Sequence, residues 1–169
     1  IAERYARGLE TRLLRMTALL SVVQPSGPLR AGLREEAFRG VEFKDAIKTS
    51  VNKNPAIAAC HEDKDKPFAS PFSIIWSGFI RIPEDGLYSF ALESDDGSWL
   101  YIDDRLIGDN GGVHSAAIQE SQAFLAAGLH KINIRYFEQA GGAVFNFYWT
   151  TPHAPAVPVP GDILFHAGR

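Results

Sequence analysis

From Phe72 onward, apolar side chains recur at every second position, and this alternation most limits what the chain can become. Phe72, Ile74, Trp76, Gly78, Ile80 and Ile82 fall on one face of an extended strand. Pro83-Glu84-Asp85-Gly86 closes that strand with a turn, and Leu87 to Ser94 follows with Tyr88, Phe90 and Leu92 on one side. Asp96-Gly97 is a hairpin signal, because both residues tolerate the positive φ of a primed turn. Ser94-Asp95-Asp96-Gly97 therefore reads as a hairpin tip, with the chain returning along Trp99 to Ile102. Asp103-Asp104 makes a short turn before Arg105 to Gly108, and Asp109 to Gly112 reads as a loop. Ile118 to Leu125 holds one or two more strands, and Ala127-Gly128 turns the chain. Leu129 to Glu138 alternates Ile132, Ile134 and Tyr136 against polar neighbours. Gln139 to Gly142 turns again, and Val144 to Thr150 sets Phe145, Phe147 and Trp149 on one face. Many short strands with regular turn signals predict an all-β antiparallel sandwich or barrel, with Trp76, Tyr88, Tyr136 and Trp149 in its core.

Before Phe72 the pattern differs. Tyr5, Leu9, Leu13, Met16 and Leu20 recur at steps of three and four, which predicts an N-terminal amphipathic α-helix from about Glu3 to Val23. Gln24-Pro25-Ser26-Gly27-Pro28 ends it, since proline cannot continue a helix. The chain thus divides into a helix over residues 1–24, a linker over 25–28 and a β domain over 29–169. The helix packs on this domain or belongs to a preceding one. Leu33 to Phe38 reads as a first strand, and Lys44 to Ser50 as a strand or a short helix. His61 to Lys66 reads as a solvated charged loop. Thr151 to Gly161, rich in proline, reads as extended coil, and Ile163-Leu164-Phe165 as a final edge strand.

Composition excludes more than it selects. The net charge is −3, and no basic run suggests a nucleic-acid partner. No stretch reaches the roughly 20 apolar residues of a membrane helix. Cys60 is the single cysteine, so no disulfide forms within the chain, and it reads as a packing thiol. The first residue is Ile1, which reads as a processed chain or a piece of a larger one.

Catalytic patterns are missing. His61, His114, His130, His153 and His166 are scattered, and none sits in a zinc-binding spacing. Ser50-Val51-Asn52-Lys53 matches a Ser-x-x-Lys string without its companion motifs. Adjacent carboxylates on one turn are poorly placed to divide acid and base work in sugar hydrolysis. The chain therefore reads as a non-enzyme. Asp95-Asp96 is the leading binding candidate: two adjacent carboxylates repel unless a cation or solvent relieves them, and calcium prefers such oxygens. The competing reading is a turn, with Asp95 as its cap.

The run FIRIPEDGLYSFALESDDGSWLYI, Phe79 to Ile102, resembles the PA-fourteen family, named after the protective-antigen toxin component. Gly78, Pro83, Gly86, Tyr88, Phe90, Ser94, Asp95, Asp96, Gly97, Leu100, Ile102 and Asp103 match its pattern. The stretch from Leu125 through Gly128, His130 and Tyr136 to Glu138 is similar to a later strand of the family, and Gly141-Gly142 to Trp149 to its closing strand. The resemblance covers about Leu29 to Phe165. It implies a β-sandwich or barrel that serves as an accessory or adhesive module, extracellular, periplasmic or on a cell surface. In the fungal lectins that it resembles, two neighbouring aspartates joined by a cis peptide bind calcium, which then holds sugar hydroxyls. Asp95 and Asp96 fall on those positions, with Glu138 or Gln139 offered as further ligands. Trp99 is a candidate plate for a sugar ring, or a half-buried packing residue, and Tyr101 is similar. Asn110 and His114 are candidates for ligand contact or for capping; His130 reads as structural. The expected partners are a glycan or polysaccharide and neighbouring domains of a parent chain. The alternative is a structural or protein-interaction module without sugar binding.

Overall fold

The structure, a computed structural model, describes residues 23–168. The expected N-terminal helix lies outside the described residues except for its last position, Val23, whose N–H donates to the Leu129 carbonyl at 3.0 Å.

Thirteen strands follow: β1 (Leu29–Ala31), β2 (Leu33–Arg39), β3 (Asp45–Asn52), β4 (Ile57–Cys60), β5 (Phe72–Ile82), β6 (Gly86–Asp95), β7 (Ser98–Ile102), β8 (Arg105–Asn110), β9 (Ala117–Leu125), β10 (Gly128–Glu138), β11 (Ala143–Thr151), β12 (Ala154–Pro158) and β13 (Leu164–Ala167). They form two antiparallel sheets. The eight-stranded sheet runs β1-β13-β5-β10-β7-β8, with β2 also on β5 and β3 on β2. The five-stranded sheet runs β12-β11-β6-β9, with β4 also on β11. The described sheets face one another without closing, so the fold is a sandwich rather than a barrel.

The two-residue period of β5, β10, β6 and β11 builds the core. Each sends alternate residues inward, where aromatic rings of the two sheets meet. Trp76 of β5 stacks on Phe145 of β11 with ring centres 4.7 Å apart, and Tyr136 of β10 lies 5.6 Å from the same ring. Tyr88 stacks on Trp149 at 5.6 Å and Phe90 on Phe147 at 5.9 Å, within the five-stranded sheet. Such ring pairs add to the burial of their apolar area.

The structure corrects the expected hairpin at Asp96-Gly97. β6 pairs with β11 and β9, whereas β7 pairs with β10 and β8, so the tip is a crossover between sheets. Both strands must bury alternate residues (Tyr88, Phe90, Leu92 and Ser94 from one; Ser98, Leu100 and Ile102 from the other), and they do so from opposite layers. The primed turn lies instead at Asp103-Asp104, with φ of 49° and 62°, between β7 and β8. Gly97 is required for space. A Cβ there would collide with the Phe137 ring and the Gly112 carbonyl.

Three further readings change. The segment read as coil contains β12, whose Val157 and Pro158 lie opposite Trp149 and Tyr148. Proline is tolerated there because β12 is an edge. β13 is interior rather than an edge, paired with β1 and β5. Lys44 to Ser50 resolves as strand, because β3 lies along β2. The linker is tied to the domain, with Gly168 N–H donating to the Pro28 carbonyl at 2.8 Å.

Candidate functional site

Three crossovers converge at one end of the sandwich. Residues 96–97 carry the chain from β6 to β7, 111–116 from β8 to β9, and 139–142 from β10 to β11. Asp96 staples them together. Its Oδ1 accepts from the His114 backbone N–H at 3.1 Å and its Oδ2 from the Gln139 N–H at 2.8 Å. Asp96 is 3% exposed, and the Asp95-Asp96 peptide is cis. Asp95 is half-buried. Its carbonyl accepts from the Tyr136 hydroxyl at 2.6 Å, which ties this end of β6 to the opposite sheet.

The electrostatics follow from this crowding. Burial and then the Asp96 charge hold the Asp95 carboxyl above its usual range; a bond from the Ala116 backbone and the His114 charge pull the other way. Burial, with Glu138, Asp95 and Asp96 nearby, also pushes the Tyr136 hydroxyl up. His114 is raised by its bond to the Asn110 carbonyl against the effect of burial, aided by a bond to the Ser115 carbonyl and the two aspartates. Each ring nitrogen of His114 faces a carbonyl, at 3.0 Å and 2.9 Å, so the imidazolium satisfies both.

The remaining candidates separate. Asn110 turns inward, its amide donating to Ser94 Oγ at 2.9 Å and the Ala117 carbonyl at 3.0 Å. It braces the crossovers, because a buried amide is held where its hydrogens find acceptors. Trp99 faces the outside of the eight-stranded sheet, stacked on Phe137 at 5.8 Å and close against Gly111. Gln139 contributes its N–H, which holds Asp96 and is not a metal donor. Glu138 points inward, fully buried, with Oε1 accepting from Lys66 Nζ at 3.0 Å. The reading of His61 to Lys66 as a solvated run therefore fails at Lys66, whose amine also donates to Asp63 Oδ1 at 2.8 Å and Ser70 Oγ at 2.6 Å. The alternation of β10 is the signal that finds it: Ile132, Ile134 and Tyr136 point inward, so Glu138 does too, and a buried carboxylate needs a cation.

Calcium is tested against these groups. Asp95 and Asp96 offer hard oxygens of the kind it takes. Gly142 leaves a cradle beside them, since a Cβ there would stand 3.0 Å from Asp95 Oδ2. Glu138 Oε2 is buried without a hydrogen-bond partner. Among the described residues, however, no three His, Cys, Asp or Glu side chains converge as a metal-holding group. The acidic pair thus fits as part of a shell that backbone carbonyls, water or ligand hydroxyls would complete.

The described residues thus form a two-sheet sandwich with a polar cluster on its crossover loops. The PA14 domain profile matches residues 29–162, and the chain belongs to that family. Solved structures agree on the fold. An anti-sigma factor domain-containing protein from Clostridium clariflavum superposes with a TM-score of 0.75 and 24% identity, over 83% of this chain and 48% of that one. The PA14 sugar-binding domain from an RTX adhesin gives 0.70 and 16%, over 81% and 99%. The Epithelial Adhesin 9 A domain from Candida glabrata, solved in complex with Galb1-4GlcNAc, gives 0.68 and 12%, over 88% and 94%. The chain spans about half the length of the anti-sigma factor domain-containing structures it matches. No curated protein matches it.

Proposed function

We propose that this domain binds carbohydrate as an accessory or adhesive module of a larger exported or surface protein, with calcium held by Asp95 and Asp96. The observation that carries the reading is the convergence of three crossover loops on two adjacent carboxylates. Asp96 is fixed by two backbone N–H groups, and Asp95 is half-exposed beside the Gly142 backbone. When bound, the metal would offer sugar hydroxyls a coordination site. The protein's own part is to orient the two carboxylates and keep side chains clear of them. The named sugar-binding and glycan-complexed neighbours support the reading. No helix among the described residues is long and apolar enough to cross a membrane.

The two bonds on Asp96 favour a second reading, a spacer or docking module in which the acidic pair only staples loops. A glycan array with and without EDTA, run on the wild type and Asp95→Asn, separates the two. Glycan binding that disappears on chelation and in the variant, with an unchanged melting temperature, supports the calcium-dependent module. An intact, folded protein that retains no glycan supports the spacer.

A further inference from the structure

The outer face of the eight-stranded sheet has a charge pattern that the Asp95-Asp96 end does not explain. One row crosses β2, β5, β10 and β7 as Arg34, Ser77, Asn133 and Tyr101. Short side chains in its middle form the floor of a groove of about 380 Å³, which is ligand-sized. A second hollow of about 450 Å³ shares Arg34 with it. Phe79 and Lys131, opposite one another on β5 and β10, line one side of the groove.

Two arginines flank this groove. The Arg135 guanidinium lies 5.4 Å from the Tyr101 ring centre and 5.9 Å from that of Phe43, and its Nε donates to Asn133 Oδ1 at 3.3 Å. The Arg81 guanidinium lies 4.7 Å from the Phe165 ring centre. Among the described residues neither ion-pairs with a carboxylate. Stacking fixes the plane of a guanidinium and leaves its forked donors for an oxyanion. Arg34 and Lys131 do have partners, Glu36 at 3.0 Å and Asp104 at 3.2 Å, but these are exposed pairs that exchange readily. Glu36 and Asp104 offset Arg34 and Lys131 on this face, so Arg81 and Arg135 are its positive groups without an ion-pair partner among the described residues.

We propose that this face is a second, metal-independent site for an acidic polysaccharide. Arg81 and Arg135 sit six residues apart in sheet register, since Arg81 pairs with Leu129. The strand rise makes that roughly 20 Å. A chain with a carboxylate on each sugar meets both arginines, whereas one small anion meets only one. Tyr101 and Phe79 line the groove between them, so aromatic side chains border the path of the sugar rings.

The test is capture of the intact chain on immobilised polygalacturonate in EDTA at low salt, with dextran as the neutral control. The expected result is retention on polygalacturonate alone, weakened by added sodium chloride. Arg135→Ala and Arg81→Ala should each lower affinity about tenfold, as loss of a charge-assisted hydrogen bond does. Arg135→Lys, which keeps the charge without the fork, should fall between, and melting curves confirm that each variant is folded. Folded arginine variants that bind like the wild type would overturn the proposal, as would absence of binding in EDTA. Equal competition by a single-stranded oligodeoxynucleotide would overturn it too, by showing a general polyanion surface. The Asp95-Asp96 reading fails separately, since it predicts binding that EDTA abolishes.

Discussion

Replacing Lys66 by methionine tests whether the buried ion pair under the crossover loops holds this end of the sandwich together. The side chains of Lys66 and Glu138 are 1% and 0% exposed. The amine satisfies Glu138, Ser70 and Asp63 together; burial lowers its pKa, but the bonds and charges of Asp63 and Glu138 outweigh that and the net shift is upward. Lys66→Met leaves the Glu138 carboxylate buried without a cation, with Oε2 already lacking a partner. Breaking a buried pair from one side costs about 3–5 kcal/mol, and the position at the end of the sandwich favours the lower figure, about 3 kcal/mol. For a domain of this size that lowers Tm by about 10 °C. Removing both charges, as Lys66→Met with Glu138→Gln, should recover most of the loss, because the penalty belongs to the stranded charge. Urea unfolding of the wild type, both single variants and the double variant measures the coupling, with m checked for constancy. A Lys66→Met loss below about 1 kcal/mol, or a double variant as unstable as the sum of the singles, would refute the reasoning.

Other expectations follow from single contacts. His130 is buried, with Nδ1 on Asp103 Oδ2 at 2.6 Å and Nε2 on the Ala126 carbonyl at 2.8 Å. Burial lowers its pKa, but those bonds outweigh it and the net shift is upward. The stabilisation is therefore complete below the unfolded value of about 6.5 and is lost as pH rises through the folded value. A Tm series across that range should show this decline in the wild type and not in His130→Gln. Tyr136→Phe removes the hydroxyl bond to the Asp95 carbonyl and should destabilise by about 1 kcal/mol in urea melts, with the core ring retained. Gly97→Ala sets a methyl group against the Phe137 ring and the Gly112 carbonyl, and should destabilise by about 1–3 kcal/mol in thermal melts.

Much of the fold was legible because β5, β10 and β11 alternate strictly and carry large inward rings. The residues of the acidic pair were legible as well, first as a turn with a possible cation and then through ordered matches on both sides. Pairing partners were not. Asp-Gly chemistry is local, whereas the strand that β7 joins is decided by which layer buries Ser98, Leu100 and Ile102. β3 is exposed along most of its length, so no alternation distinguished strand from helix there. Side-chain direction was equally hidden in the loops: Asn110 and Glu138 have groups suited to a ligand, yet both are turned inward to satisfy interior partners. Lys66 sits in a run of charges that composition alone assigns to solvent, and only the inward place of Glu138 on β10 marks it otherwise.

Leu29 pairs with Ala167, and Pro28 with Gly168, so the first and last described strands lie side by side at one edge. A domain with adjacent ends can sit within a loop of a host domain without displacing the host's own strands. The same adjacency sets its response to tension. A pull applied through both ends peels β1 from β13 one hydrogen-bonded pair at a time, as a zip opens, while the aromatic core and the acidic crossover remain out of the line of force.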